Sequence, residues 1–387
     1  MKITAIETYV CNAYRTNWVF VKVLTDSGLH GVGEATLETR ELTVQTAIQE
    51  IERSVVGKDP HNIEAIWQEL YRDTYWRGGA VLMSAMAGVE MALWDIKGKD
   101  LGVPVWQLLG GKVRESIPCY ANGWFAPAKT PDEFAEKAKE AVAMGYRGLK
   151  WDPFGKAYMN ISKKELRHVI DCVGAVINAV GDEVQILIEG HGRFNIPTAV
   201  RIGHALGDFD ITWFEEPVPP DSMEAMAEVK RRISIPVAGG ERLYSRWQYR
   251  SYLEQSCTDF IQPDVTHAGG IMELRKIAAM AECHHIPVCP HNPSGPIANA
   301  ATLQLAACVP NFYLMETMSS DVSYRKDLTT EDVRFENGEM LISNKPGLGI
   351  DLCPEAIAEY PYTPHILQHY DGNLTNIRPE SSKTYFN

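Results

Sequence analysis

Hydrophobic and polar positions alternate through the first 35 residues of the chain and then take up a helical period. The alternation predicts three antiparallel strands, at Lys2–Val10, Trp18–Leu24 and Leu29–Ala35. Apolar residues at three- and four-residue spacing predict helices near 41–55, 61–73 and 80–100, and Gly102 with Pro104 ends the last one. This part of the chain is therefore expected to form an α+β module.

From about Ser116 the pattern changes to short apolar runs that alternate with helical stretches, which is typical of βα units around a parallel sheet. Eight such runs follow one another: Ile117–Ala121, Gly148–Trp151, Gln185–Gly190, Thr212–Glu216, Pro236–Gly240, Asp259–Gln262, Pro287–Pro290 and Tyr313–Glu316. Eight parallel strands in series predict a closed α/β barrel of the TIM type. We expect a module at 1–116, a barrel at 117–331, and a segment at 332–387 that returns to the first module.

Composition and charge exclude several classes of protein. A chain of 387 residues, 45% hydrophobic and 22% charged, has the profile of a soluble globular protein. The formal net charge of −13 argues against a surface for nucleic acid or for an anionic membrane, because both require clustered positive charge. An acidic small molecule would therefore have to be held by local groups.

The cysteines and the chain start indicate a compartment. The eight cysteines contain no CxxC pair, so they are interpreted as buried reduced thiols of a cytoplasmic protein. The first residues alternate like a strand and lack the apolar stretch of a signal peptide, and no apolar run of about 18 residues occurs. We therefore expect no membrane partner.

Three glutamates stand at the ends of consecutive predicted strands. The separations of Glu189, Glu215 and Glu241 are both 26 residues, one βα unit each, so the strands should deliver three carboxylates to one rim of the barrel. Carboxylates without a cysteine ligand suit a hard cation, and octahedral Mg²⁺ fits such a site. The alternative is that each is an exposed loop residue or an ion-pair partner. The adjacent Glu216 points to the other side of its strand and is interpreted as structural.

Two histidines and an aspartate extend this pattern. His191 lies two residues after Glu189, so both side chains should point toward the barrel mouth if the strand continues. His291 ends the seventh predicted strand, and Asp264, which ends the sixth, is placed to orient the imidazole as a general base. Taken singly, the histidines fit surface or packing positions and Asp264 fits a turn. Together on one face they indicate catalysis.

Three further charged residues are candidates for substrate binding. Lys150 and Asp152 end the second barrel strand, where they are placed to meet a carboxylate and a hydroxyl of the substrate, respectively. The alternative is a salt bridge between barrel strands. Glu316 ends the eighth strand and is placed to accept a hydrogen bond from the substrate. Arg242 follows Glu241 and can pair with the acidic rim.

An ordered set of motifs runs along nearly the whole chain. The motifs are GVGEATLET and MALWDIKGKDLGVPVWQLLGG before the barrel, and WFEEPV, GGERL, QPDVTHAGGI and CPHNPSGPIANAA within it. In this order they resemble the enolase superfamily, in its mandelate racemase subgroup. The resemblance implies a (β/α)7β barrel with a capping domain built from both ends of the chain, and a homo-oligomer. It places the family's Mg²⁺ ligands at Glu189, Glu215 and Glu241 and its Asp–His dyad at Asp264 and His291.

Within the subgroup, the HGR segment at residues 191–193 and the dyad are similar to the aldonate dehydratases that act on galactonate, gluconate or arabinonate. The segments IPCYANGWF, LKWDPFG and ILIEGHGRFN are most similar to archaeal gluconate and arabinonate members. One departure is Glu189, where most of the subgroup has aspartate. The implied reaction is Mg²⁺-dependent: His291 removes the C2 proton and His191 protonates the departing 3-hydroxyl, which leaves a 2-keto-3-deoxy sugar acid.

Two other functions fit parts of the pattern. A racemase, epimerase or cycloisomerase would use the same opposed acid and base groups, but its second base in this subgroup is usually a lysine of a KxK pair. The matching stretch here is Lys150-Trp151-Asp152, which favours dehydration. A metal-stabilised binding protein without turnover would not need the two histidines and Asp264. Substrate choice is expected from the loop Asn12–Asn17 and from three aromatic residues, Trp124, Phe125 and Phe154.

Overall fold

An antiparallel sheet and four helices form the first module of the computed structural model, which describes residues 1–367, 369–370 and 381–384. The strands, in spatial order, are β1 (Ile3–Asn12), β2 (Asn17–Thr25) and β3 (His30–Glu34). The helices are α1 (Glu41–Val55), α2 (Ile63–Gln68), which continues as a π-helical turn at Glu69–Asp73, α3 (Ala80–Leu101) and α4 (Val105–Leu108). The predicted strands and helices of this module are confirmed within a few residues.

Helix α3 is the central element of the module because it is apolar on all sides. Such a helix is stable only when it is buried on every side, and here it packs against β3. The contact is so close that a Cβ at Gly33 would lie 1.9 Å from the carbonyl oxygen of Gly88. The helix ends at Gly102, whose φ of 67° is the left-handed conformation that glycine adopts without strain.

The second part of the chain is a parallel barrel, as predicted. Its strands are β4 (Ser116–Asn122), β5 (Gly148–Trp151), β6 (Gln185–Glu189), β7 (Trp213–Glu215), β8 (Val237–Gly239), β9 (Phe260–Ile261) and β10 (Met315–Met318). Neighbours in sequence pair in parallel from β4 to β9, and β10 pairs with β4. The gap between β9 and β10 is bridged by Val288, which pairs with Ile261 and with Phe312.

Seven helices in the described residues alternate with these strand positions, which gives the (β/α)7β arrangement. They are α5 (Pro131–Ala143), α6 (Lys163–Val180), α7 (Ile196–Leu206), α8 (Met223–Arg232), α9 (Arg246–Glu254), α10 (Ile271–Cys283) and α11 (Pro296–Cys308). The predicted seventh strand is reduced to a single residue, Val288, which forms one bridge on each side. Its flanking residues Pro287 and Pro290 lack the N–H group that a ladder needs.

The segment after the barrel contacts both parts of the molecule. A hairpin of β12 (Phe335–Glu336) and β13 (Glu339–Leu341) pairs with β4, while β11 (Ser320–Asp321) pairs with β14 (Lys383–Thr384). Helix α12 (Pro354–Ala358) packs on β1, and the side-chain amide of Asn17 donates to the carbonyl oxygen of Thr363 over 2.9 Å. The division at 116/117 and 331/332 stays a prediction, and residues 368, 371–380 and 385–387 of the last segment lie outside the described residues.

Carboxylates of the first module fix two barrel helices at their N-termini. Glu34 accepts hydrogen bonds from the backbone N–H groups of Gly295 (2.7 Å) and Ala298 (2.9 Å), at the start of α11. Glu90 accepts from Ile271 (2.8 Å) and Met272 (2.9 Å), at the start of α10. Because such groups have no partner within their own helix, these bonds tie the module to the loops that precede the two helices.

Two expectations about the surface can be compared with the structure. The eight cysteines, all in the described part of the chain, are free thiols; Cys283 is exposed, so the expectation that they are all buried is wrong. None of the helices in the described residues has the length and apolar character that a membrane span requires.

Candidate active site

The three predicted carboxylates meet at the mouth of the barrel. Glu189 and Glu215 are the last residues of β6 and β7, and Glu241 follows β8 by two residues. Each offers an oxygen that lies within 4.8 Å of the other two. Glu189 and Glu215 are buried and Glu241 is nearly so. Sequence spacing thus predicted a real cluster, which has the donor atoms of a site for a hard cation.

Lys150 lies beside this cluster of three carboxylates. Its Nζ is 2.8 Å from Oε1 of Glu215, 3.1 Å from Oε1 of Glu316 and 3.6 Å from Oε2 of Glu189. The salt bridge between barrel strands that was the alternative for Lys150 is therefore formed. Glu316 also accepts from the Asn122 amide at 2.7 Å and from the Asn292 N–H at 2.9 Å. Substrate binding by Lys150 and Glu316 stays a prediction.

The charges of this group do not balance without another cation. Two basic groups, Lys150 and His291, face four buried or nearly buried carboxylates, those of Glu189, Glu215, Glu241 and Glu316. Burial and the neighbouring Glu215 raise the pKa of Glu189 well above its ordinary value. Burial also acts on Glu215, but there Lys150 outweighs it and lowers the pKa. A divalent cation among the three oxygens would offset the repulsion that, with burial, raises the pKa of Glu189, so the residues fit a metal ion.

His291 and Asp264 form the predicted pair. Nδ1 of His291 is 2.7 Å from Oδ2 of Asp264, and Nε2 is 3.7 Å from Oε2 of Glu241. Burial opposes the imidazolium, yet the carboxylates of Glu241 and Asp264 outweigh it and raise the pKa of His291 to about 10. Burial opposes the Asp264 carboxylate, but the neighbouring His267 and His291 and the donors of Thr266 outweigh it and lower its pKa to about 2. The aspartate is thus ionised and oriented toward the ring.

His191 reaches the same cavity by a different route than expected. Strand β6 ends at Glu189, and His191 has a φ of 51°, so the expectation that the strand continues is wrong. The turn is held by a 2.6 Å hydrogen bond from the His191 N–H to Oε1 of Glu189. It places Nδ1 of His191 2.6 Å from Oδ2 of Asp152. Burial lowers the pKa of His191 to about 4.

Asp152 is shared between two partners. Besides His191, it forms an ion pair with the fully buried Arg193, which also donates to the carbonyl oxygens of Gly155 and Gly190 at 2.9 and 3.0 Å. The salt-bridge alternative for Asp152 is therefore present, and its contact with a substrate hydroxyl stays a prediction. Glu216, the residue after Glu215, pairs with Arg242.

The cavity above these residues has a volume of about 330 Å³, which is within the range of small-molecule sites. Four of the six catalytic and metal-binding candidates line the cavity: Glu189, His191, Glu241 and His291. The other two, Glu215 and Asp264, are buried and are not among the lining residues. Of the residues expected to choose the substrate, Arg15, Thr16 and Phe125 line the cavity. Trp124 and Phe154 are buried and are not among the lining residues, and the Trp124 indole donates to the carbonyl oxygen of Lys150; a role of either residue in substrate choice stays a prediction.

Three cavity residues with a carboxylate or imidazole side chain were not singled out from the sequence as site residues: Glu38, His267 and His369. Arg193, which is fully buried and pairs with Asp152, was quoted only as part of the HGR segment. Arg193 stands two residues after His191 and His267 three residues after Asp264, so proximity to a candidate was an available signal. Glu38 and His369 come from distant segments, and no local pattern marks them.

Two family models match the chain. Residues 3–110 match the N-terminal domain of mandelate racemase and muconate lactonizing enzyme, and residues 133–356 match the enolase C-terminal domain-like family. The chain belongs to the mandelate racemase and muconate lactonizing enzyme family. This places it in the enolase superfamily, as its motifs indicated.

Relatives within this family include named dehydratases. A D-galactonate dehydratase from Variovorax paradoxus is 36% identical over 97% of this chain and 99% of its own length. A D-gluconate dehydratase from Thermoproteus tenax is 37% identical over 89% of this chain and 70% of its own length. The structure of an enolase superfamily member from Salmonella Typhimurium covers 93% of this chain and 98% of its own, at 32% identity and a TM-score of 0.88.

Proposed function

We propose that this family member is a hydro-lyase that converts an aldonate into a 2-keto-3-deoxy sugar acid. One observation carries the proposal: two aspartate-paired histidines enter the same cavity from either side of a three-carboxylate cluster. Dehydration needs a base for the C2 proton and an acid for the 3-hydroxyl, and these two groups supply both. The relatives named as D-gluconate and D-galactonate dehydratases support this substrate class.

Glu189, Glu215 and Glu241 would hold Mg²⁺, because their oxygens are the ligands this ion prefers. Bound there, it would offset the negative charge that the substrate carboxylate gains when C2 loses its proton. Lys150, already among these carboxylates, would add a second positive charge to that end of the substrate.

His291 would remove the C2 proton through Nε2, since Nδ1 is engaged by Asp264. A base must be neutral, whereas the charge of Glu241 favours the imidazolium. Glu241 would be less available to stabilise the imidazolium when it holds a cation, which would favour the neutral ring that a base requires. The proton taken from C2 then resides on His291.

His191 would donate a proton to the departing 3-hydroxyl, so that the C3–O bond breaks and water leaves. Burial lowers the pKa of His191 to about 4 and so favours the neutral ring. An anionic substrate beside the ring, together with Asp152 at 2.6 Å, favours the protonated form that this role requires. The enol that remains gains a proton at C3, loses the proton of its 2-hydroxyl, and so becomes the 2-keto-3-deoxy acid.

A turnover assay tests the proposal. The purified protein with Mg²⁺ should form a 2-keto-3-deoxy acid from at least one member of a panel of aldonates that includes D-gluconate and D-galactonate. Exhaustive chelation should abolish this turnover, and Mg²⁺ should restore it. Glu215→Gln should weaken Mg²⁺ binding in calorimetry while the far-ultraviolet circular dichroism stays that of the unchanged protein. An epimer at C2 in place of a keto acid, or full activity after chelation, would refute the proposal.

A further inference from the structure

Part of the cavity wall is built by the first module and by the last segment of the chain rather than by the barrel. Arg15 and Thr16 come from the loop between β1 and β2, and residues 36–39 follow β3. Leu367 and His369 come from the far end of the chain. This wall would therefore face the part of a substrate that is remote from the metal-binding end.

Three of these residues form a connected group, which we call the roof cluster: Arg15, Glu38 and His369. Nη2 of Arg15 is 2.6 Å from Oε1 of Glu38, and Oε2 of Glu38 is 3.8 Å from Nε2 of His369. Burial opposes the carboxylate, but Arg15 outweighs it and lowers the pKa of Glu38 to about 2. Burial lowers the pKa of His369. The cluster thus holds one positive, one negative and one neutral group.

The adjacent Tyr370 anchors this end of the chain on the loop that carries His191. Its hydroxyl donates to the carbonyl oxygen of His191 over 2.8 Å, and the guanidinium carbon of Arg193 lies 5.2 Å from its ring centroid. The rings of His369 and His191 are 5.7 Å apart, centroid to centroid. His369 is therefore held beside a proposed catalytic residue.

We propose that the roof cluster of Arg15, Glu38 and His369 binds the end of the substrate remote from its carboxylate, accepts a terminal hydroxyl there, and excludes a second carboxylate. The inference rests on the proposed function and names the residues that separate aldonates from the corresponding diacids.

The charge balance of the cluster is the reason. Arg15 is the only permanently charged cation among the described cavity-lining residues of the first module and the last segment, and the Glu38 carboxylate offsets its charge. A second carboxylate placed here would meet the Glu38 carboxylate without a compensating positive charge, which is a repulsive arrangement. A hydroxyl, by contrast, can donate to Glu38 and accept from Arg15 or His369.

Two pairs of acids provide the test: D-gluconate with D-glucarate, and D-galactonate with galactarate. Within each pair only the terminal group changes from a hydroxymethyl to a carboxylate. Isothermal titration calorimetry of the Mg²⁺-loaded protein should show that the monoacid of the preferred pair binds at least about 100-fold more tightly than its diacid. Keto acid formation is measured in the same samples.

Two variants that remove charges of opposite sign make the test independent of folding defects. Glu38→Gln should narrow the preference for the monoacid about tenfold, and Arg15→Gln should widen it about tenfold. Glu228→Gln, which removes a carboxylate from an exposed pair with Arg232 on α8, is the matched control and should leave the ratio unchanged. A damaged fold would weaken the binding of both acids alike. It would not move the ratio of their affinities in opposite directions in the two variants.

The outcomes separate this inference from the proposed function. Equal binding of monoacid and diacid, no binding of either, or a shift in the same direction for Glu38→Gln and Arg15→Gln would overturn the role of the roof cluster. Tighter binding of the monoacid than of the diacid, without keto acid formation, would support the proposed role of the roof cluster and refute the proposed dehydratase activity. Turnover of the diacid as fast as the monoacid would leave the dehydratase standing and refute the roof cluster.

Discussion

The two sides of the cavity carry the same pair of residues in opposite electrostatic settings. On one side Nδ1 of His291 is 2.7 Å from Asp264, and on the other Nδ1 of His191 is 2.6 Å from Asp152. The pKa of His291 is nevertheless raised to about 10, and that of His191 is lowered to about 4. An aspartate within hydrogen-bond distance therefore does not by itself set the charge of a histidine.

The neighbours of each pair explain the difference. His291 also faces the carboxylates of Glu241 and Glu316, which favour the imidazolium despite burial. Around His191 burial dominates and Lys150 adds a repulsive charge, while Asp152 is already paired with the guanidinium of Arg193. The geometry of a histidine–aspartate pair thus indicates orientation, whereas the surrounding charges decide which form is present.

The largest expected effect is the loss of proton abstraction on the His291 side. His291→Asn should lower turnover by at least about 10⁴-fold and should also abolish exchange of the C2 proton in D₂O, because the base is gone. His191→Asn should stall elimination but keep that exchange, with retained configuration, once the proton on His291 exchanges with solvent and returns. Nuclear magnetic resonance of recovered substrate measures the deuterium at C2.

The reason for separate roles is the position of the two groups. His191 follows the third barrel strand and His291 the seventh strand position, so they lie on opposite sides of an eight-position barrel. Exchange that survives in His291→Asn and is lost in His191→Asn would reverse the assignment. Exchange with inversion in the unchanged enzyme, without a keto acid, would indicate an epimerase.

A smaller effect is expected when only the orienting charge is removed. Asp264→Asn should lower kcat by about 10² to 10⁴-fold with little change in KM, because the imidazole of His291 loses the ionised partner that fixes it. Steady-state kinetics measures both constants, and Asp208→Asn, at an exposed position after α7, is the matched control. A kcat equal to that of the control would mean that Asp264 only stabilises its turn, through the Thr266 contacts.

Sequence alone was sufficient for features that follow from periodicity and failed where contacts are long-range. The 26-residue spacing of three glutamates required only that each strand end on the same rim, and the structure brings them together. The seventh strand was overestimated because an apolar run was counted without the ladder bonds that Pro287 and Pro290 remove. The β6 strand was overestimated because the pattern does not reveal the left-handed turn at His191.

The loop Asn12–Asn17 was expected to line the cavity, but the contacts that Arg15 makes there were the part least accessible to sequence reasoning. Arg15 and Glu38 are 23 residues apart, and His369 reaches them from the other end of the chain. No period connects such positions, since their contact depends on how the first module, the barrel and the last segment pack. Trp124 and Phe154 show the converse, because aromatic residues near strand ends suit the barrel wall as well as a binding site.

The smallest effect on turnover is expected for a substitution of Asp152. Unlike the substitution of Asp264, it should change the stability of the protein more than its catalytic rate. Asp152→Asn keeps a side-chain oxygen near Nδ1 of His191, so kcat should fall only about tenfold. The substitution also removes the counterion of Arg193, which is fully buried, and this should lower the free energy of unfolding by on the order of 3 kcal/mol. Urea denaturation measures the free energy of unfolding, again with Asp208→Asn as the control.

The carbonyl oxygens of Gly155 and Gly190 still accept hydrogen bonds from Arg193, so the Asp152→Asn variant should fold. A loss of kcat as large as that of Asp264→Asn, with unchanged stability, would mean that both aspartates serve their histidines equally.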